Sequence, residues 1–305
     1  MASIETHVPV KRGPGRPSRK PTSPAIAKFG IVNEPEDEEN DMELVYDSPQ
    51  AFKALFTYLK SLKTRTVILS FDPDGIVIYA KDHSEKSITV AYINGNKMNW
   101  FYCGDVFCLE FNRDLVDRMF TNVDKTFYKV SVLRNRSDTS ALTFMFRDAE
   151  IGKDCVYRIP VDVCAQIPEQ YVIAEEVVMQ PDKFPLEFTL TVKQFEKTIA
   201  DTISQSPVIT IMKSDQCPLE ITYTKQRTVY REVYEDDSKI EVVCRLDPGY
   251  HFQTHIKLVN IKPLVASMVT EKVRICCGDD GQLLFRLVVR DEAIVVNSLT
   301  ATGDV

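Results

Sequence analysis

Basic residues recur in this chain at spacings that gather them on one side of a helix. Lys53, Thr57, Lys60 and Thr64 fall within a stripe roughly 60° wide when each position advances about 100°. Later segments carry Arg118 with Lys125, Lys193 with Lys197, and Lys257 with Lys262. Ammonium and guanidinium groups so placed break no bonds. Their chemistry is attraction for a polyanion, screened over roughly 8 Å at physiological salt and indifferent to base sequence. A second basic cluster, Lys11, Arg12, Arg16, Arg19 and Lys20, is interleaved with Gly and Pro and belongs to an extended chain.

Patterns of covalent catalysis and metal binding are missing from the sequence. It has no G-x-x-x-x-G-K-[ST], no G-x-S-x-G and no H-E-x-x-H, and its carboxylates show no paired spacing. Eight cysteines without a repeated C-x2-C, with four histidines, do not form a zinc set and read as reduced thiols in a reducing compartment. His251 and His255 share one face of a strand and read as a satisfied or exposed pair. The expectation is a protein with no catalytic residue, metal or cofactor.

The elements that must position the helix-borne bases follow from hydrophobic period. Four segments have apolar residues at helical spacing. They are 48–63 (Phe52, Leu55, Phe56, Leu59), 112–123 (Leu115, Val116, Met119, Phe120), 191–204 (Val192, Phe195, Ile199, Ile203) and 260–270 (Ile261, Leu264, Val265, Met268). In each, the bases lie away from the apolar side. Pro49 and Pro263 suit first turns, and Asn112 suits an N-cap. Between these helices, short alternating runs rich in Val, Ile, Thr, Phe and Tyr are divided by turn signals such as Asp72-Pro73-Asp74-Gly75 and Asn94-Gly95. They predict antiparallel meanders. One helix precedes each block of three or four strands, four times over, which is an internal repeat.

With 305 residues, 44% hydrophobic and 27% charged, the chain has room for two such domains. The division is a disordered tail at 1–43, a first domain at 44–160, a linker at 161–184 carrying Pro168 and Pro181, and a second domain at 185–305. No apolar run approaches the ~18 residues of a spanning helix and the N-terminus lacks a signal-peptide core, so a soluble, intracellular protein without membrane contact is expected. The net charge of -7 argues against nucleic acid only until it is divided along the chain. Residues 1–30 hold six bases against Glu5, a net of +5, and residues 31–43 hold seven acids and no base, a net of -7, which leaves -5 on the rest. A mildly acidic body with bases gathered on helices presents one positive surface to a polyanion.

The helix Phe52-Lys53-Ala54-Leu55-Phe56-Thr57-Tyr58-Leu59-Lys60-Ser61-Leu62 resembles the first inner helix of the PCNA-type DNA sliding clamps, and Asn112-Arg113-Asp114-Leu115-Val116-Asp117-Arg118-Met119-Phe120 is similar to their second. The order of elements over 42–305 carries the resemblance, and the basic tail is similar to clamp-like proteins of large cytoplasmic DNA viruses of the asfarvirus type. The resemblance implies an α+β fold of two similar clamp domains, each with antiparallel sheets and two helices, three chains forming a pseudo-sixfold ring. It implies a non-enzymatic DNA polymerase processivity factor that encircles duplex DNA, with Lys53, Lys60, Arg118, Lys125, Lys193, Lys197, Lys257 and Lys262 facing the phosphates. A monomeric or dimeric clamp-fold factor that binds DNA without encircling it is the alternative. Short peptides of polymerase, and of ligase, nuclease or clamp loader, would enter a pocket under the linker at Ile88, Val90, Ile167, Val172, Ile173, Val296 and Leu299, although Val296 stands where an aromatic is common. Plain core is the other reading of these aliphatics. For ring closure, the edge strand 154–160 with Arg158 is expected to pair with 229–235 of the next chain, carrying Glu232 and Glu235. The expected location is a viral replication site in the host cytoplasm, with the nucleus open.

In the tail, Gly15-Arg16-Pro17 among Lys11, Arg12, Arg19 and Lys20 resembles an AT-hook, whose core lies in a narrow A·T minor groove. Pro14 replaces the usual further core arginine, so a non-specific DNA tether or an import signal stands beside that reading.

Overall fold

The computed structural model describes residues 37–301, except 124–125, 151, 153, 204–205, 207, 215–216, 226, 236–239, 258–269, 271, 279–280 and 290–291. The basic tail, Lys125, Lys262 and residues 260–269 of the helix expected at 260–270 lie outside the described residues.

The chain repeats one sequence of elements. Its first half runs β1 (Asn40–Tyr46), α1 (Pro49–Ser61), β2 (Thr66–Asp72), β3 (Gly75–Lys81), β4 (Ser87–Asn94), β5 (Trp100–Cys103), β6 (Phe107–Asn112), α2 (Arg113–Thr121), β7 (Phe127–Asn135), β8 (Asp138–Asp148) and β9 (Asp154–Pro160). A linker follows with β10 (Asp162–Val163) and α3 (Glu169–Val178). The second half runs β11 (Leu186–Thr191), α4 (Val192–Ile203), β12 (Val208–Ser214), β13 (Leu219–Lys225), β14 (Thr228–Tyr234), β15 (Glu241–Cys244), β16 (His251–Lys257), β17 (Lys272–Cys277), β18 (Gln282–Val289) and β19 (Ile294–Ala301).

Strand order matches element for element. The first half builds β5-β1-β7-β8-β9 and β6-β2-β3-β4, and the second builds β15-β11-β17-β18-β19 and β16-β12-β13-β14. A single junction merges two of these sheets: β19 pairs antiparallel with β4, which yields one ten-stranded sheet capped by β10 on β6. The outer edges β9 and β14 are the counterparts of β19 and β4 in the other half.

Helix starts are encoded locally. Pro49 opens α1, the side chain of Asn112 accepts from the Asp114 amide over 2.9 Å, and Thr191 and Gln194 cap each other at the start of α4. The apolar faces then dock on the sheets. Phe52, Leu55, Phe56 and Leu59 of α1 and Val116, Met119 and Phe120 of α2 are buried in the main core, where the Phe56 and Phe120 rings stack at 4.9 Å. In the second half Phe195 of α4 meets Phe285 of β18 at 6.1 Å. At the turn into β3, a Cβ on Gly75 would lie 2.1 Å from the Ile93 carbonyl, so this close approach requires glycine.

Three features differ from the sequence expectation. β1 begins at Asn40, inside the segment read as tail, because Asp41 pairs with Arg134 over 2.6 Å and Glu43 accepts from the indole of Trp100 over 3.1 Å. The strand β5 was not expected. The linker folds largely as the helix α3, laid on the outer face of the merged sheet.

Candidate functional site

The helix-borne bases divide into exposed and half-buried groups. Lys60 and Arg118, in the last turns of α1 and α2, and Lys193 and Lys197 on α4 are exposed. Cations there also suit the negative ends of α1 and α2. Lys53 is half-buried and donates to the Val123 carbonyl over 2.5 Å, so it ties α1 to the end of α2. Lys257 is half-buried at the end of β16. Arg113, which the sequence reading passed over, joins the same two helices by donating to the Lys60 carbonyl over 3.0 Å and pairing with Asp114. Its place directly after the cap Asn112 was the available signal.

On the opposite face of the sheet, α3 covers the junction between the halves. Tyr171, Ala174, Glu175 and Val178 are buried against Val77, Tyr79, Val90, Tyr92, Leu284 and Val295. The Tyr79 hydroxyl donates to the Glu175 carboxylate over 2.7 Å, and the Tyr79 and Tyr171 rings lie 5.6 Å apart. Burial first, and then the charge of Glu175, push the phenols of Tyr79 and Tyr92 upward, so both stay protonated and Tyr79 keeps the proton it donates to Glu175. The seven expected pocket residues are therefore spread over three environments. Val90 is buried under α3, and Ile88, Ile167 and Leu299 pack around that cluster. Val172 and Ile173 are exposed on the outer side of α3. Val296 faces the main core under the helices, because it lies one residue from Val295 and neighbours on a strand point to opposite faces. A surface pocket of about 470 Å³ opens beside the end of α3, lined by Ile173, Val177, Lys183, Phe184, Pro185 and Gln282, and it shares only Ile173 with the expected set.

Both outer edges show apolar side chains. Val156 on β9 is 60% exposed, and Val229 and Val233 on β14 are 69% and 42% exposed. Arg158 is on the outer face of β9 and pairs with Asp138. Glu232 accepts from the Tyr234 hydroxyl over 2.6 Å, and its register opposite Ile221 puts it on the helix side of β14. Glu235 follows β14 and is exposed. Arg158 and Glu232 thus occupy opposite faces of their edges.

His255 Nδ1 lies 2.9 Å from the Thr210 hydroxyl and Nε2 3.3 Å from the Gln253 amide, while His251 is exposed. Among the described residues no group of three His, Cys, Asp or Glu is placed to hold a metal. No described helix is long and apolar enough to cross a membrane.

No family model matches the chain. It is 32% identical over 300 residues to an uncharacterized protein of African swine fever virus (strain Badajoz 1971 Vero-adapted), covering 97% of this chain and 99% of that protein. The chain belongs to the family of that viral protein. The counterpart in the Kenya 1950 pig isolate of the virus is likewise 32% identical, over 295 residues and 95% of this chain. Among solved structures, PCNA from Thermococcus kodakaraensis superposes with a TM-score of 0.69 at 14% identity, covering 85% of this chain and 99% of that one. PCNA from Entamoeba histolytica superposes with a TM-score of 0.67 at 15% identity, over 86% of this chain and 98% of that one. The chain has the PCNA-type fold, α+β with mostly antiparallel sheets.

Proposed function

We propose that the chain is a DNA sliding clamp: three copies close into a ring of six repeats around duplex DNA and act as a polymerase processivity factor. The observation that carries this reading is the junction between the halves. β19 already pairs with β4 inside the chain, and their counterparts β9 and β14 are the outer edges. Repeating the same pairing between copies gives a heterologous contact, which closes by rotation.

The register of that contact follows from the repeat. Tyr46 and Leu190, the last main-core residues of β1 and β11, lead across the sheet to Phe146 and Leu287, which stand opposite Cys155 and Val296. On the other edge, Leu69 and Ile211 lead to Ile78 and Ile221, which stand opposite Ala91 and Glu232. Val296 pairs with Ala91 inside the chain, so Cys155 pairs with Glu232 of the next copy. Tyr157 then meets Tyr230 on the helix side, and Val156 and Arg158 meet Arg231 and Val229 on the outer side. Burial of the exposed valines drives closure.

Within the ring, Lys60, Arg118, Lys193 and Lys197 face the phosphates, joined by Lys53, Lys257, Lys125 and Lys262. Lysine suits a sliding contact because its mobile stem carries a point charge without bidentate geometry. Attraction without base readout leaves the ring unpinned. The chain acts as a scaffold and catalyses nothing. Partner enzymes dock by short peptides at the linker, where Ile88, Ile167, Val172, Ile173 and Leu299 offer the accessible aliphatics. The basic tail tethers DNA, and the site of action is the viral replication site. Light scattering of the purified chain tests the assembly: three times the 34.8 kDa chain mass is expected, and a single chain mass at micromolar concentration contradicts it.

A further inference from the structure

The start of the linker is joined to the first half by a short ladder. β10 pairs with β6 so that Asp162 stands opposite Glu110 and Val163 opposite Leu109. One step further, the Cys164 amide donates to the Cys108 carbonyl over 3.0 Å, which sets the two cysteines opposite each other. Both are thiols and both are half-buried. Leu109 and Phe111 point into the main core, so Cys108 lies on the outer face of β6, and Cys164 packs against the cluster under α3 on that same face. Hydrogen-bonded antiparallel neighbours have Cα atoms ~5.5 Å apart, within the roughly 4.4–6.8 Å that a disulfide spans. Among the described residues, strand pairing sets no other two cysteines opposite each other: Cys103 faces Met42, Cys155 faces Phe146, Cys244 faces Leu186, and Cys276 and Cys277 face Leu284 and Leu283.

We propose that Cys108 and Cys164 form a reversible disulfide, made by exchange with a small disulfide such as glutathione disulfide, that staples the root of the linker to β6. The Cys164 thiolate attacks one sulfur of glutathione disulfide, that S–S bond breaks, and one glutathione leaves as its thiolate. The Cys108 thiolate then attacks Sγ of Cys164, and the second glutathione leaves. Two protein thiols are oxidised, one glutathione disulfide is reduced, and the two protons end on the two glutathiones. Burial holds the Cys108 thiol above its ordinary range and leaves less of it as thiolate, so its attack is the intramolecular one, made once the mixed disulfide on Cys164 holds the two sulfurs together. Such bonds in reducing compartments are transient and redox-sensing.

The staple acts on α3. Only Ala165, Gln166 and Ile167 separate Cys164 from Pro168, the N-cap of that helix. Fixing Cys164 therefore shortens the arm from which α3 can leave its seat on Tyr79 and Tyr92. The staple closes within one chain and does not depend on ring formation.

The full-length protein, reduced and then equilibrated with glutathione disulfide, tests this by peptide mapping under non-reducing conditions and by hydrogen exchange. One Cys108–Cys164 linkage is expected, with amides of α3 exchanging at least about threefold more slowly, and dithiothreitol reversing both. Cys108→Ser is expected to stop at a glutathione adduct on Cys164. A linkage between other cysteines, or loss of no thiol in the wild-type protein, overturns the proposal. Unchanged exchange in α3 with the linkage formed overturns its role as a staple. Because the mapping uses the wild-type chain, a variant that folds poorly does not blunt the test.

Discussion

Replacing Glu232 with cysteine should cross-link the ring through the native Cys155 of the neighbouring copy. The repeat places these two residues directly opposite, on the helix side of the contact. Directly opposed cross-strand residues have Cβ atoms ~4.5–5.5 Å apart, close to the roughly 3.5–4.5 Å of a disulfide, whereas diagonal neighbours at ~7–8 Å are out of reach. Glu232→Cys is thus expected to give covalent dimers and trimers on a denaturing, non-reducing gel after mild oxidation. Tyr230→Cys and Tyr234→Cys, each two residues off, and Val233→Cys, on the other face, should cross-link at least about tenfold less. The substitution gives up the hydrogen bond from Tyr234, a loss of about 1 kcal/mol that an assembled edge tolerates. Cys155→Ser in the Glu232→Cys background should abolish every covalent species. Efficient cross-linking at 230, 233 or 234 instead of 232 would refute the register. Equal failure at all four, with a native mass of three chains, would refute the β9–β14 contact while leaving the trimer standing.

Charge reversal of two exposed helix lysines, Lys60→Glu with Lys197→Glu, should leave the native mass unchanged and lower polymerase processivity at physiological salt; unchanged processivity would remove these residues from the DNA face. Deleting residues 1–30 should weaken salt-sensitive DNA binding and leave the trimer intact, as read by binding at several salt concentrations beside light scattering. The buried Glu187 is pulled up by desolvation, but the hydrogen bonds and charges of Arg274 and Arg245 outweigh this and hold it below its ordinary 4.5. A depressed carboxylate adds stability that is full above its ordinary value and is lost as pH falls through its folded value. Urea unfolding should therefore show stability dropping below about pH 4.5, and Glu187→Gln should flatten that drop. Tyr79→Phe, which leaves Glu175 with one donor fewer under α3, should destabilise the chain by about 1–3 kcal/mol in the same assay.

Elements with a local signal were legible in the sequence, and elements held by distant partners were not. The helices at 48–63, 112–123 and 191–204 announce themselves because Phe52, Phe120 and Phe195 recur with their neighbours at helical period, behind Pro49 in the first and side-chain caps at Asn112 and Thr191 in the others. The start of β1 looked like acidic tail because the partners of Asp41 and Glu43, Arg134 and Trp100, lie far along the chain. Only four residues long, β5 follows a turn and offers too short an alternation to read. The stretch 161–184 reads as a linker, yet Glu175 within it is buried and accepts from Tyr79. Val296 was placed on the wrong face because β19 is covered on both sides, and Ile294-Val295-Val296 shows no alternation from which parity could be taken. Lys53 looked identical to Lys60 in the stripe, and only the packing of α1 on α2 shows that one of its donors goes to the Val123 carbonyl.

The central claim is topological and is tested by DNA whose ends can be opened. The protein is loaded onto closed circular duplex DNA and washed at moderate salt, the DNA is then cut at one site, and the protein remaining bound is measured before and after the cut. A ring predicts retention on the circle and rapid loss once an end exists. Equal retention on circular and linear DNA, or equal loss from both, would contradict it.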